Sequence, residues 1–173
     1  MTASPIALLR SLSGSKEAPG ALVRNAWDLL SPLPGGKLAF SRMVGRSAPY
    51  TGTIDARVEE LRAGFARVVL PDRPAVRNHL RSVHAVAMLN LVEMTANLAL
   101  SYTLPEDARF IVAGMSIEYL RKARGDVTAS CECPVVASNE RAEHELLVSL
   151  RDPAGTVVAE AKVRTLVGPR RVS

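Results

Sequence analysis

At 173 residues, 47% of them apolar and 23% charged, the chain is long enough to bury one substantial core and too evenly mixed to be fibrous or disordered. A net charge of +5 suits an anionic small molecule, an acidic partner or a nucleic acid, but aromatics at 4% and the lack of basic–aromatic interleaving argue against base stacking, and so against nucleic acid. The longest apolar stretch is broken by Asn90, Glu93 and Asn97, so no bilayer span is expected.

In chain order, the opening MTASPIALLRSL has neither the basic start nor the apolar length of a secretory signal, and the cytoplasm is the expected compartment. Residues 1–48 read as helical pieces broken at SGSKEAPG and SPLPGG. Leu22, Ala26, Leu29 and Leu30, with Trp27 nearby, fall at helical spacing; Leu38, Phe40, Met43 and Val44 follow less regularly. This extension is expected to pack as a helical lid, with a partner-binding or membrane-surface helix as the alternative.

From Tyr50 the texture changes. TGTIDARVEEL and GFARVVLP are short β-type runs joined near Arg62-Ala63-Gly64, a hairpin signal. A polar loop, PDRPAVRNHLRS, leads into an apolar helix from Val83 to Ser101. Four more strand candidates follow, within 109–123, 125–136, 143–152 and 156–168, with turns at Gly125-Asp126 and at Pro153-Ala154-Gly155. In the last run Val157, Ala159, Ala161, Val163 and Thr165 share one face, while Glu160, Lys162 and Arg164 share the other, so one face is wet. Two strands, one long helix and four strands make an α+β domain, because six antiparallel strands bury a common apolar face most economically under a single helix. The expected division is a helical extension over 1–48, the domain over 49–168 and a basic tail over 169–173.

Cys131 and Cys133 form a lone C-x-C within a strand-like stretch. With no second pair or His cluster beside them, zinc is not expected, and adjacent positions on one strand would strain a disulfide. Two reduced thiols on one strand face is the reading, and neither metal nor cofactor is expected.

Glu93 is the feature that points to chemistry. It is the only charged residue from Val83 to Ser101 apart from the ionisable His84, on a helix with apolar residues all round its axis, as expected of one enclosed by other structure. An unpartnered buried carboxylate costs several kcal/mol or is driven toward its neutral form, so such a group is either paired or useful. Asn90, Glu93 and Asn97, spaced i, i+3 and i+7, would share one polar stripe. A structural pairing of Glu93 with Asn90, Asn97 or a loop amide is the alternative.

The loop and helix start, RNHLRSVHAVAMLNLVEMTANLA, resembles the hotdog-fold acyl-CoA thioesterases, in particular the phenylacetate-pathway type. That pattern is an Asn, a His six residues on, and a helix acid nine residues after the His; here they are Asn78, His84 and Glu93. SIEYLRKARGDVTASCECPVV and LLVSLRDPAGTVVAEAKVRTLV resemble the family's basic-Gly-Asp turn and closing strand pair, and the likeness covers about residues 50–167. The chain departs from the pattern at Arg81, which replaces a typical Gly, at Ala85-Val86, which replace two glycines, and at Glu93, which replaces the commoner Asp. These departures fit the uncharacterised, thioesterase-like branch.

The resemblance implies a hotdog fold, a sheet of about six strands wrapped around one long helix. It implies hydrolysis of acyl-CoA or a related thioester, with Glu93 as general base or nucleophile, and Asn78 and His84 at the site. The amides of Ala85 and Val86 would polarise the carbonyl at the helix N-terminus. Asn90 and Asn97 would line the pocket, Arg81 would be among the substrate-binding residues, and Arg121, Lys122 and Arg124 would lie near the CoA phosphates. Glu93 lies roughly 12 Å along the helix from Ala85, too far for one thioester to touch both. The family's answer is a homodimer in which the loop of one subunit meets the helix acid of the other, with tetramer packing as a further level. A non-catalytic module binding acyl groups or acyl-CoA is the alternative. A hydratase on the same fold, using Asp72 and His79, fits less well.

Overall fold

A computed structural model of the chain describes residues 19–170. Three helices come first: α1 (Pro19–Leu30), α2 (Gly36–Ser47) and the single turn α3 (Pro49–Gly52). Then follow β1 (Arg57–Arg62), β2 (Phe65–Leu70), a 3-10 turn at Pro74–Val76, and the long α4 (Ala85–Thr103). Strands β3 (Ala108–Tyr119), β4 (Val127–Glu132), β5 (Ala142–Arg151) and β6 (Val157–Pro169) complete the chain. The two strands, one helix and four strands expected from the sequence are all present. No helix among the described residues is long and apolar enough to cross a membrane.

The strands form one antiparallel sheet in the order β1-β2-β4-β5-β6-β3. The two-residue β1–β2 turn places Gly64 at a φ of 74°, left-handed backbone that glycine adopts freely, and the Gly125 turn has a φ of 76°. On β6 the expected alternation holds: Ala159, Ala161, Val163 and Thr165 are buried and Glu160, Lys162 and Arg164 exposed. Helix α4 lies on the sheet's inner face, with Leu91, Val92, Ala96 and Leu100 fully buried against Val68, Val127, Leu146 and Val158. Each such large aliphatic side chain contributes about 1.5–3 kcal/mol.

Helices α1 and α2 pack against α4 and the edge of β1. Trp27 and Phe40 meet edge to face, with ring centroids 5.1 Å apart. Helix α1 presents Ala21, Ala26 and Trp27 inward and leaves Leu29 49% exposed, so the face expected from leucine spacing is rotated. It is fastened to the end of α4 by Arg24 Nη1 donating to the Tyr102 carbonyl (3.2 Å) and Tyr102 Oη donating to Asp28 (2.7 Å). Helix α2 reaches the outer edge of β1: Val58 N–H donates to Ser41 Oγ (2.8 Å) and Lys37 Nζ donates to the Glu59 carbonyl (2.6 Å).

Cys131 and Cys133 are buried free thiols. Burial pushes the Cys131 thiol up to about 12, and the Cys133 thiol also upward. No group of three or more His, Cys, Asp or Glu that could hold a metal occurs among the described residues.

Candidate active site

The loop before α4 is built around Asn78. Its Oδ1 accepts from Leu80 N–H (2.9 Å), Ser82 N–H (3.2 Å) and Ser82 Oγ (3.1 Å), while its own N–H donates to the Ser82 carbonyl. This side-chain bracing of a tight loop is what Asn does well. Arg81 has a φ of 56°, left-handed backbone that favours glycine, at the position where the resembled pattern has Gly. The loop is anchored by Val83 N–H to the Ala123 carbonyl and by His84 N–H to the Val76 carbonyl. Asp72 fixes its base: both carboxylate oxygens take the Arg77 guanidinium (2.7 and 3.0 Å) and one also accepts from Gly125 N–H (3.1 Å). The hydrogen-bonded Arg77 holds the Asp72 carboxyl below its ordinary value. Asp72 is therefore engaged with Arg77, not with His79, which is exposed and makes no side-chain hydrogen bond or ion pair among the described residues.

His84 caps α4. Its Nδ1 accepts from Val86 N–H at 3.1 Å, which fixes the neutral ring as the Nε2–H tautomer. Of the two amides expected to polarise a carbonyl, Val86's is thus taken by the cap and Ala85's is not. The Ala85 carbonyl accepts from Tyr119 Oη (2.9 Å), which ties the end of β3 to the helix's first turn, and partial burial pushes the Tyr119 hydroxyl upward.

Glu93 stands on an open stripe of α4. The helix is not enclosed on all sides: Val86 is 49% exposed, and Leu89, Glu93 and Asn97 are half-buried along the same face. This corrects the expectation of a wholly enclosed acid, since the apolar circumference does not reveal that one stripe lacks a neighbour among the described residues. Glu93 has no side-chain partner among the described residues, so pairing with Asn90, Asn97 or a loop amide is not seen. Asn90 is turned away from this stripe: it is buried, and its Nδ2 donates to the Tyr50 carbonyl (3.1 Å). Asn97 Oδ1 is buried without a partner.

The stripe begins beside the inner face of β3, where Phe110, Val112 and Ile117 are partly buried and Met115 and Tyr119 are 39% and 45% exposed. Around the start of α4 lie Arg81, Arg121, Lys122 and Arg124, all exposed and without an ion pair among the described residues. Two open clefts, of about 640 and 750 Å³, lie on the sheet's outer face and have no α4 residue in their lining.

Residues 36–167 match the family described as Domain of unknown function (DUF4442). The chain belongs to this family. No curated protein matches it. Among solved structures it is similar to a structural-genomics crystal structure with no functional name, at 30% identity and a TM-score of 0.74, covering 86% of this chain and 99% of the other. A Pseudomonas aeruginosa protein of unknown function, described as a probable thioesterase, is similar at 22% identity and TM-score 0.69, over 80% of this chain and 97% of that one. A Haemophilus influenzae thioesterase is similar at 15% identity and TM-score 0.66, over 76% and 90%. The fold shared by the DUF4442 chain and these structures is the hotdog fold, and the family match begins at the first residue of α2.

Proposed function

We propose that this DUF4442 chain is an acyl-CoA thioesterase acting as a homodimer with composite sites. The observation that carries this reading is Glu93: a half-buried carboxylate without a partner among the described residues, on an open helix stripe that begins beside an open apolar strand face. A structural carboxylate would be hydrogen-bonded; one kept free beside apolar surface suits proton transfer. The fold shared with structures described as thioesterases supports the same class.

In this reading Glu93 takes a proton from water, and the water oxygen attacks the thioester carbonyl carbon. Amide donors at the start of α4, Ala85 foremost, hold the developing oxyanion; one such donor is typically worth about 10²–10³-fold. The intermediate collapses, the C–S bond breaks, and the departing thiolate takes up a proton. As nucleophile, Glu93 would instead form an anhydride that water then opens. Asn78 holds the loop, His84 sets the helix start, and Arg81, Arg121, Lys122 and Arg124 attract the CoA phosphates in a salt-sensitive way. Because Glu93 and Ala85 stand roughly 12 Å apart on one helix, the loop end of one protomer serves the acid of the other.

The test is thiol release from a panel of acyl-CoAs. Glu93→Gln, which keeps the shape and removes the base, is expected to lower kcat at least about 100-fold. Equal turnover by wild type and Glu93→Gln overturns the mechanism. One observation favours a second reading, a non-catalytic acyl-CoA-binding module: the His84 cap occupies the Val86 amide. Tight acyl-CoA binding with no turnover by wild type would select it.

A further inference from the structure

From Leu29 to Ile54 the chain carries Lys37, Arg42 and Arg46 and not one Asp or Glu. With 17 acids spread over 173 residues, a span of that length would ordinarily hold two or three. The same span holds four large apolar side chains open to solvent: Leu29 at 49%, Leu33 at 53%, Leu38 at 38% and Tyr50 at 66%. Cations and exposed apolar groups without acids form a surface of one chemical kind.

Local structure gathers these groups. The α1–α2 turn is tight: Leu33 N–H donates to the Leu30 carbonyl and Gly36 N–H to the Leu33 carbonyl, both at 2.9 Å. Gly36 is needed there, because a Cβ would collide with the Leu30 carbonyl. Leu30, Phe40 and Val44 turn toward the core, which leaves Leu29 and Leu33 at the turn and Leu38, Arg42 and Arg46 on the outer side of α2. Spacings of i, i+4 and i+8 put the last three on one stripe. Neither guanidinium has a hydrogen bond or ion pair among the described residues. Of the flanking acids, Asp28 is bonded to Tyr102, and Asp55 shares a cleft of about 530 Å³ with Arg42 and Arg46 without pairing to either.

We propose that the α1–α2 turn and the outer stripe of α2 dock on an anionic lipid bilayer. The leucines enter the acyl boundary, Arg42 and Arg46 meet headgroup phosphates, and the amphipathic ring of Tyr50 suits the headgroup level. Protein interfaces centre on aromatic anchors seated in pockets. Here the apolar groups are aliphatic, they stand on a turn, and none of them lines the adjoining cleft. Apolar insertion and charge attraction are the two signals that together hold a chain on a membrane surface. This docking goes beyond the chemistry of Glu93 and does not depend on it.

The test is co-sedimentation of the full chain with phosphatidylcholine vesicles, with and without phosphatidylglycerol. Binding is expected only to the mixed vesicles and is expected to weaken as salt rises. One cation at such a surface strengthens binding about fivefold, so Arg42→Glu/Arg46→Glu should lower the partition coefficient at least about 25-fold. Arg109→Glu/Arg141→Glu changes two exposed arginines elsewhere and takes the net charge from +5 to the same +1, at two units per substitution; it should stay near wild type. Leu33→Ser should cost about tenfold or more, from one apolar side chain left in water. Emission from Leu33→Trp should shift to the blue on mixed vesicles, against the constant signal of buried Trp27. Equal losses from the two arginine pairs would mean adsorption by net charge alone and overturn the proposal. So would binding indifferent to Arg42→Glu/Arg46→Glu and Leu33→Ser. Retention on an immobilised acidic peptide with no binding to either vesicle would assign the face to an acidic protein and overturn it too.

Discussion

At one edge of the sheet, β1 hands its Val58 N–H to Ser41 and its Glu59 carbonyl to Lys37, and α2 lies along it. At the other edge β3 runs twelve residues with β6 on one side and no strand among the described residues on the other, its inner face half-covered and its apolar side chains partly exposed. Unpaired edges invite association, and proteins close them with helices, charges or partners. The covered edge gives the N-terminal helices a defined role, since they finish the sheet where no partner is needed. The bare edge is also the one beside the start of α4, where the candidate site lies.

The largest effect should come from undoing the cover on β1. Phe40 is fully buried and meets Trp27 edge to face, so Phe40→Ala is expected to cost about 3–5 kcal/mol in urea denaturation. If α2 is truly the edge cover, the same variant should aggregate through β1; a soluble variant with the full stability loss would break that half of the comparison. Ser41→Ala removes the hydroxyl acceptor and leaves the buried Val58 N–H unsatisfied, at about 1–3 kcal/mol, with faster amide exchange at Val58 as the local readout. In the loop before α4 the expected effect is smallest. Arg77 holds the Asp72 carboxyl below its ordinary 3.8, so the pair's contribution is complete above about pH 4 and is lost as pH falls through the depressed value. Asp72→Asn should therefore cost under about 1 kcal/mol at neutral pH, with the deficit against wild type closing in acid. A deficit that widens in acid would reverse the assigned sign.

Much of the fold was legible because each element repeats its signal: the β6 alternation, the Gly64 and Gly125 turns, and the long apolar run of α4, charged only at Glu93. The Asn78, His84 and Glu93 spacing led to the loop and helix that carry the candidate site. Three features were not legible, for physical reasons. The inward face of α1 takes in Ala21 and leaves out Leu29, because close packing there favours a small residue that leucine spacing does not mark. The open stripe of α4 depends on which side lacks a neighbour, and a helix apolar all round gives no hint of that. The His84 cap was missed because a histidine cap needs the ring's Nδ1 lone pair aimed at the second amide, a matter of torsion angles.

The Tyr119 hydroxyl bonded to the Ala85 carbonyl joins the last residue of β3 to the first residue of α4. A pull on that strand is therefore felt by the peptide group beside the amide proposed to hold the thioester oxygen. Assembly and reaction geometry would then be adjusted by a single mechanical linkage, and a change in how two chains clasp would retune turnover without touching Glu93.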